Sequence, residues 1–428
     1  MLSDRRGATG LIFAASAIAL FGFFALATEG GLWYLTKREA QSAADAAAFA
    51  SASALESRGR NPALSAGMEM AGRNGFAADA QTEVTVSIPP ATGPNINTPG
   101  ATEVRIQRRQ PTYLAGMLLG QPEVLIAARA VAAMVDDGPV CMLSLHGTFT
   151  LTGNSDVRAA DCVLASNKRG PSSINVSGST SITARSLRAS GECAGCSDTR
   201  RVIPPTTYSD YQQPVTDPFA DLNDISYPAS CPAGAEAPPT NKKNDPPVTV
   251  GPMNGGTVYW CNSTWSNNGT VYLRPGTYIL YNTSIALHGG NVSCPTCTPG
   301  GAGVTFVLTG SSRDTVGTVD INAQTSFQVN APGSGPYAGV VMYRDDLGAN
   351  QVSKINGGAG LNLIGAMYFP TGTLQFSGNS DLTFPTVCRV IVAHTVTFIG
   401  NTDIALTQRD CARALVPVPQ VRVARLLE

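Results

Sequence analysis

Charge is scarce in this chain. Asp, Glu, Lys and Arg make up 14% of its 428 residues and leave a formal net charge of −1. The electrostatic footprint that nucleic-acid binding requires is therefore missing. Between Gly7 and Thr28 the deficit is complete, for no ionisable side chain occurs there. Proline is absent from Glu29 to Leu55, and cysteine is absent before Cys141. Histidine is down to three scattered residues, His146, His288 and His394, none in a triad context. What replaces charge in the C-terminal two-thirds is Gly, Ser, Thr and Asn. That mixture suits extracytoplasmic β structure with many tight turns and does not suit a cytosolic α/β enzyme. The length allows two or more domains beyond the first segment.

The uncharged stretch reads GATGLIFAASAIALFGFFALAT. As a helix rising about 1.5 Å per residue, it covers the roughly 30 Å hydrocarbon core of a bilayer. Arg5 and Arg6 precede it and Glu29 follows, while Trp33 and Tyr34 sit where amphipathic rings favour the lipid–water boundary. The reading is a transmembrane helix over 7–28, with 1–6 cytoplasmic and the rest exported. The competing reading is a cleaved secretory signal ending at Ala25-Leu26-Ala27, although a helical pattern runs straight through that site.

From Glu29 onward alanine dominates, as in AQSAADAAAFASASAL. Alanine is the strongest helix former, and small side chains let neighbouring helices approach closely. Gly30-Gly31 is the weak joint of this helix. Gln41 and Asp45 share one of its faces, either as a solvated pair or as part of a docking face for partner helices. A second helix is expected to open at Asn61 as N-cap with Pro62 in the first turn.

Arg6-Gly7 before an apolar span, Glu29-Gly30-Gly31-Leu32-Trp33-Tyr34, Lys37-Arg38, Gln41 and Ala43-Ala44-Asp45-Ala46-Ala47-Ala48 together resemble the N-terminus of TadE/TadG-like proteins of the bacterial tight-adherence (Flp) pilus machinery. The resemblance covers about fifty residues. It implies an inner-membrane anchor, a periplasmic body and a role in assembling or tethering a pilus. The cleavable prepilins of that system carry a glutamate five residues after the cut; here Ala8-Thr9-Gly10-Leu11-Ile12 follows Gly7 and supplies none. Many TadG proteins also carry a metal motif Asp-x-Ser-x-Ser, which is not found in this sequence.

Beyond a helical stalk over 29–77, the period switches to two in TEVTVSI (82–88) and EVRIQR (103–108). With a short helix over 111–120 and an apolar strand over 124–135, they form a small α+β module spanning 78–137. From 138 a turn motif recurs: TLTGNSDV (150–157), NVSGSTSI (175–182), LQFSGNSDL (374–382) and VTFIGNTDI (396–404), with weaker copies at 273–285 and 320–327. Repeats of this length signal the stacked coils of a β-solenoid. A right-handed parallel β-helix over 138–415 is expected in preference to a β-sandwich, with an irregular insertion over 191–260 and a tail over 416–428.

All ten cysteines, Cys141, Cys162, Cys193, Cys196, Cys231, Cys261, Cys294, Cys297, Cys388 and Cys411, lie in the part expected to be exported, as an oxidising compartment would give. The pairs Cys193/Cys196 and Cys294/Cys297 read as local disulfides, in preference to a four-thiolate zinc site or redox motifs. Cys231 and Cys261 are expected to pin the insertion. Asp381 and Asp403 occupy equivalent motif positions, the placement a glycosidase carboxylate pair would need, but an Asx-turn role serves each equally.

Taken with the anchor and repeat pattern, the resemblance implies a non-enzymatic, single-span inner-membrane component of Tad/Flp pilus assembly that acts as a periplasmic scaffold or tether, with no cofactor and no metal. Its expected partners are the lipid bilayer and other membrane proteins or pseudopilins of the pilus machinery. Glu29, Trp33, Tyr34, Gln41 and Asp45 are the membrane-boundary and helix-docking candidates. The alternative is a surface adhesin or glycan-binding β-helix that meets a cell-envelope polysaccharide; a polysaccharide hydrolase or lyase ranks third.

Overall fold

A computed structural model describes residues 6–113, 115–116, 120–322, 324–356, 360–378, 381–382, 388–408 and 411–428. Side chains at 6–12, 14, 15, 18, 19, 21, 25, 26, 254, 381 and 382 lie outside the description. The chain divides into two units, Met1–Asp137 with Arg422–Glu428, and Gly138–Val421.

In the first unit, helix α1 (Arg6–Arg58) runs unbroken through Gly30 and Gly31. A β-carbon on either glycine would meet nothing within 4 Å, so no neighbour pries the helix open there. Helix α2 (Arg60–Arg73) begins just after Gly59, whose φ of +85° reverses the chain. Its start falls one residue ahead of Asn61, the expected cap, because glycine rather than a side-chain cap makes the turn.

Three antiparallel strands follow: β1 (Thr82–Ser87), β2 (Ala101–Pro111) and β3 (Glu123–Ser144). Val84 faces Ile106 across β1 and β2, and Ile106 faces Ala128 across β2 and β3. The alanine stripe of α1 packs onto this sheet. Ala40, Ala44, Ala47, Ala48 and Ala52 are fully buried in one cluster with Val104, Ile106, Ala128, Ala130 and Ala132. Small residues on both sides explain the close approach: the Thr102 hydroxyl reaches the Ala48 carbonyl of α1 at 3.2 Å. The chain's last stretch, expected to be a tail, is instead a strand (Gln420–Leu426). Its end lies against β3, where Leu427 N–H donates to the Val131 carbonyl and Val131 N–H to that of Glu428.

Among the described residues no helix is long and apolar enough to cross a membrane. The expected span over 7–28 falls largely on side chains outside the description; of those described, Phe13, Leu20, Phe23 and Phe24 are exposed.

The second unit is a stack of parallel coils, β-helix-like as expected. Along one sheet, strand Thr257–Cys261 pairs with Gly276–Tyr281, then Val304–Thr309, Val340–Arg344, Gly360–Ser377 and Arg389–Ile399. The next rung is not further along the chain. Arg389–Ile399 pairs with the end of β3 through Ile391↔Met142 and with Phe149–Leu151 through Phe398↔Leu151. From there the stack continues through Asp156–Ser166 and Ser181–Ala189 to Thr207–Ser209. The polypeptide therefore enters its solenoid in the middle, winds outward to one end, crosses to the far end and winds back to meet its own first coil.

Inward-facing residues alternate with outward ones, as strand geometry requires. They form ring ladders inside: Trp265 stacks on Phe306 at 5.6 Å, Phe306 meets Phe327 at 5.7 Å, and Phe376 stacks on Phe398 at 4.9 Å. A coil has no second layer of its own, so burial of these rings depends on its neighbours.

Candidate functional site

The recurring turn motif builds a column. Gly178, Gly153, Gly400 and Gly378 lie one above another, all with φ between +71° and +88°. A β-carbon on Gly153 would fall 2.6 Å from the Gly400 backbone nitrogen, and one on Gly178 would fall 2.7 Å from the Gly153 carbonyl. Both the left-handed backbone and the close stacking demand glycine. Next in the motif, Asn154 donates to Asn401 at 3.0 Å and Thr402 donates to Ser155 at 2.8 Å.

The aspartates of the motif share a register row: Asp381 pairs with Asp403, and Asp403 with Asp156. Asp403 is exposed, and Asp156 holds an ion pair with Arg158 at 3.2 Å. The side chain of Asp381 lies outside the described residues. His146 and His394 meet with ring centroids 5.5 Å apart where the last coil joins the first. Burial, then the neighbouring His146, pushes the His394 imidazole below its ordinary pKa.

The ten cysteines form five disulfides: Cys141–Cys162, Cys193–Cys196, Cys231–Cys261, Cys294–Cys297 and Cys388–Cys411. Both Cys-x-x-Cys pairs close on themselves. No group of three or more His, Cys, Asp or Glu able to hold a metal ion occurs among the described residues.

The stretch expected to be an irregular insertion carries strands at both ends, Cys193–Ala194 and Thr207–Ser209 before it, Val248–Val250 and Thr257–Cys261 after it. Between them, residues 210–247 run across the coils as a strap. Asn167 exchanges two hydrogen bonds of 2.7 Å with the Val215 backbone. Tyr368 donates to Asp217 at 2.9 Å and accepts from Asn223 at 2.9 Å. Tyr343 donates to the Leu222 carbonyl and Tyr281 to that of Ala229. The Cys231–Cys261 disulfide and the Trp265 bond to the Pro239 carbonyl complete the series. Burial raises the Asp217 carboxyl above its usual range, although Phe219 N–H, Tyr368 and His146 oppose it. This ladder of tyrosine hydroxyls carried no sequence signal, since its members belong to different coils.

In the first unit, the candidate residues of α1 have these surroundings. Glu29 is 7% exposed, and its carboxylate accepts Tyr113 N–H and Ala115 N–H, both at 3.2 Å. Gln41 donates to Asp45 and to the Arg129 carbonyl of β3, both at 2.8 Å. The Gln41/Asp45 face is thus met by the chain's own sheet. Trp33 is half-buried; Tyr34, Leu32, Leu35 and Phe49 are exposed on α1. A network missed from sequence lies beside them. Glu103 is nearly buried and accepts from Ala91 N–H at 2.7 Å, Thr92 N–H at 3.0 Å and Arg129 Nε at 2.9 Å, while Arg129 also pairs with Glu428. Burial opposes ionisation of Glu103, but the bonds from Thr92, Arg129 and Ala91 outweigh it and hold its carboxyl below the usual range.

Residues 7–54 match the TadE/G-like family of Flp pilus assembly. No curated protein and no solved structure matches the chain. The matched segment lies wholly within α1.

Proposed function

We propose that the chain is a non-enzymatic, membrane-anchored component of Tad/Flp pilus assembly that acts as a periplasmic scaffold or tether. The observation that carries this reading is the pilus-assembly match on a single helix whose alanine face is already buried by its own sheet. What remains for other molecules is the exposed surface of the helix, where Leu32, Tyr34 and Leu35, each more than half exposed, stand among Lys37, Arg38 and Glu39. Exposed apolar side chains of this size mark contact with lipid or with protein partners.

In this reading residues 7–28 lie in the inner membrane with the N-terminus cytoplasmic, and Trp33 and Tyr34 mark the outer boundary. Partner membrane proteins or pseudopilins of the pilus machinery dock along the outer face of α1. The coil stack, braced by five disulfides, stands in the periplasm, an oxidising compartment in which such bonds persist.

The test is a deletion strain scored for both pilus number and surface attachment. Loss of pili, restored by the full-length chain and not by Leu32→Asp/Leu35→Asp, supports the scaffold. Normal pili with reduced attachment would move the assignment to an adhesin. Release of the intact chain from membranes by alkaline carbonate would remove the anchor from the proposal.

A further inference from the structure

One face of the coil stack differs in chemistry from the rest. On the sheet that contains strands Val248–Val250, Thr270–Leu273, Gly290–Ser293, Thr325–Asn330 and the start of Gly360–Ser377, one outward row reads Thr249, Tyr272, Ser293, Gln328, Asn362 in continuous register. The row beside it reads Thr270, Asn291, Ser326, Gly360. Neither row carries an ionisable charge at neutral pH. On the neighbouring sheet, by contrast, the corresponding row pairs Asp320 with Lys354.

Two grooves lie along the uncharged face. One, of about 650 Å³, is lined by Thr249, Tyr272, Arg274, Pro295 and Thr296. The other, of about 310 Å³, is lined by Ser293, Pro295, Gln328, Asn330 and Asn362. Pro295, in the loop closed by Cys294–Cys297, borders both grooves. Beneath this face, the side-chain oxygens of Asn291 and Asn362 are buried and accept no hydrogen bond among the described residues.

We infer that this face binds an uncharged, hydroxyl-rich polysaccharide laid across the coils. Amides and hydroxyls each donate and accept, as sugar hydroxyls do. Successive rungs lie about 4.8 Å apart, a step comparable with one sugar ring. The Tyr272 ring offers an apolar plate against which the C–H face of a sugar packs, with its hydroxyl left for a polar partner. Charge complementarity selects the class: among the described residues that line the two grooves, Arg274 is the one cation an anionic glycan could meet, and none lies in the two outward rows. The site does not depend on the pilus reading.

Calorimetric titration of the full-length chain, held in a detergent without a sugar headgroup, tests this. The probes are cellohexaose, chitohexaose, maltohexaose, mannohexaose and, as the acidic arm, hexagalacturonate. Saturable binding of a neutral hexasaccharide, unchanged between low and high salt, is the expected result. Tyr272→Ala should weaken it about tenfold. Gln328→Ala, at an exposed position where the fold is not at stake, should weaken it too, whereas Asn154→Ala in the turn column should not. Silence with all four neutral probes, binding of hexagalacturonate alone that salt abolishes, or binding that Gln328→Ala and Tyr272→Ala leave untouched would each overturn the inference.

Discussion

Asn154 donates its side-chain amide to the side-chain oxygen of Asn401 at 3.0 Å, across 247 positions of sequence. The bond marks the seam at which the last coil of the solenoid closes on the first. Directly beside it Gly153 rests on Gly400, both in the left-handed region. Gly153→Ala should therefore destabilise the coil stack by more than the ~1–2 kcal/mol that a left-handed alanine costs by itself, because its methyl would meet backbone. Gly255→Ala, at φ +75° with nothing within 4 Å, should cost only that conformational amount. Denaturant melts of the two variants side by side make the comparison.

Acid should loosen the same seam. The His394 pKa is depressed by burial and by His146. A depressed folded value means stability that is present above the ordinary histidine pKa of about 6.5 and lost as pH falls through the folded value. Amide exchange at Leu145, whose N–H donates to the Ala393 carbonyl at 2.8 Å, should quicken on acidification. His394→Gln should flatten that dependence.

Asp217 runs the other way. Burial raises its pKa, so its contribution is favourable when protonated and is lost as pH rises through the folded value. The strap therefore holds the ionised form of this carboxyl at a cost. Asp217→Asn, which can still accept from Tyr368, should raise the melting temperature at pH 7 and lose that advantage below pH ~4.

The strap is tied by Cys231–Cys261, which closes a separation of 30 residues. Chain-entropy arguments assign such a loop about 3–4 kcal/mol. The paired Cys231→Ser/Cys261→Ser variant should be cut within 210–247 by protease well before the coils are. General reduction should sensitise only the chain after Val140, since no cysteine precedes it; equal cleavage throughout would refute the point.

In the first unit, Ala48→Leu should cost about 1–3 kcal/mol by overpacking. Ala48 is fully buried, and its carbonyl accepts the Thr102 hydroxyl of β2. Leu35→Ala, on the exposed side of α1, should leave the melt unchanged.

Much of this fold could be read from residues. The glycine of each turn motif announced a left-handed corner, and the alternating strands announced coils with an inner and an outer face. Coil order could not be read the same way, because a parallel rung specifies its neighbour by shape and not by proximity in sequence. A trace of it was nonetheless visible: GNSD at 153–156 resembles GNTD at 400–403 and GNSD at 378–381 more closely than it resembles GSTS at 178–181. The three like copies are consecutive in the stack. The alanine run was legible as a helix that accepts close neighbours. That the neighbour would be a sheet depended on Ala128, Ala130 and Ala132, whose period-two spacing gave no hint of their partner.

A solenoid that begins and finishes at its waist has a particular order of assembly. Its first coils are complete long before the residues that must cover their open rung have been made. The closing strand, Arg389–Ile399, pairs with Met142 through Ile391 and with Leu151 through Phe398, far back in the sequence, and is expected to dock late, since distant contacts carry a large ordering cost before any reward. Until then Met142, Phe149 and Leu151 stand uncovered on one side. Synthesis that delivers the carboxyl-terminal coil late would leave that raw edge open to strands of other copies.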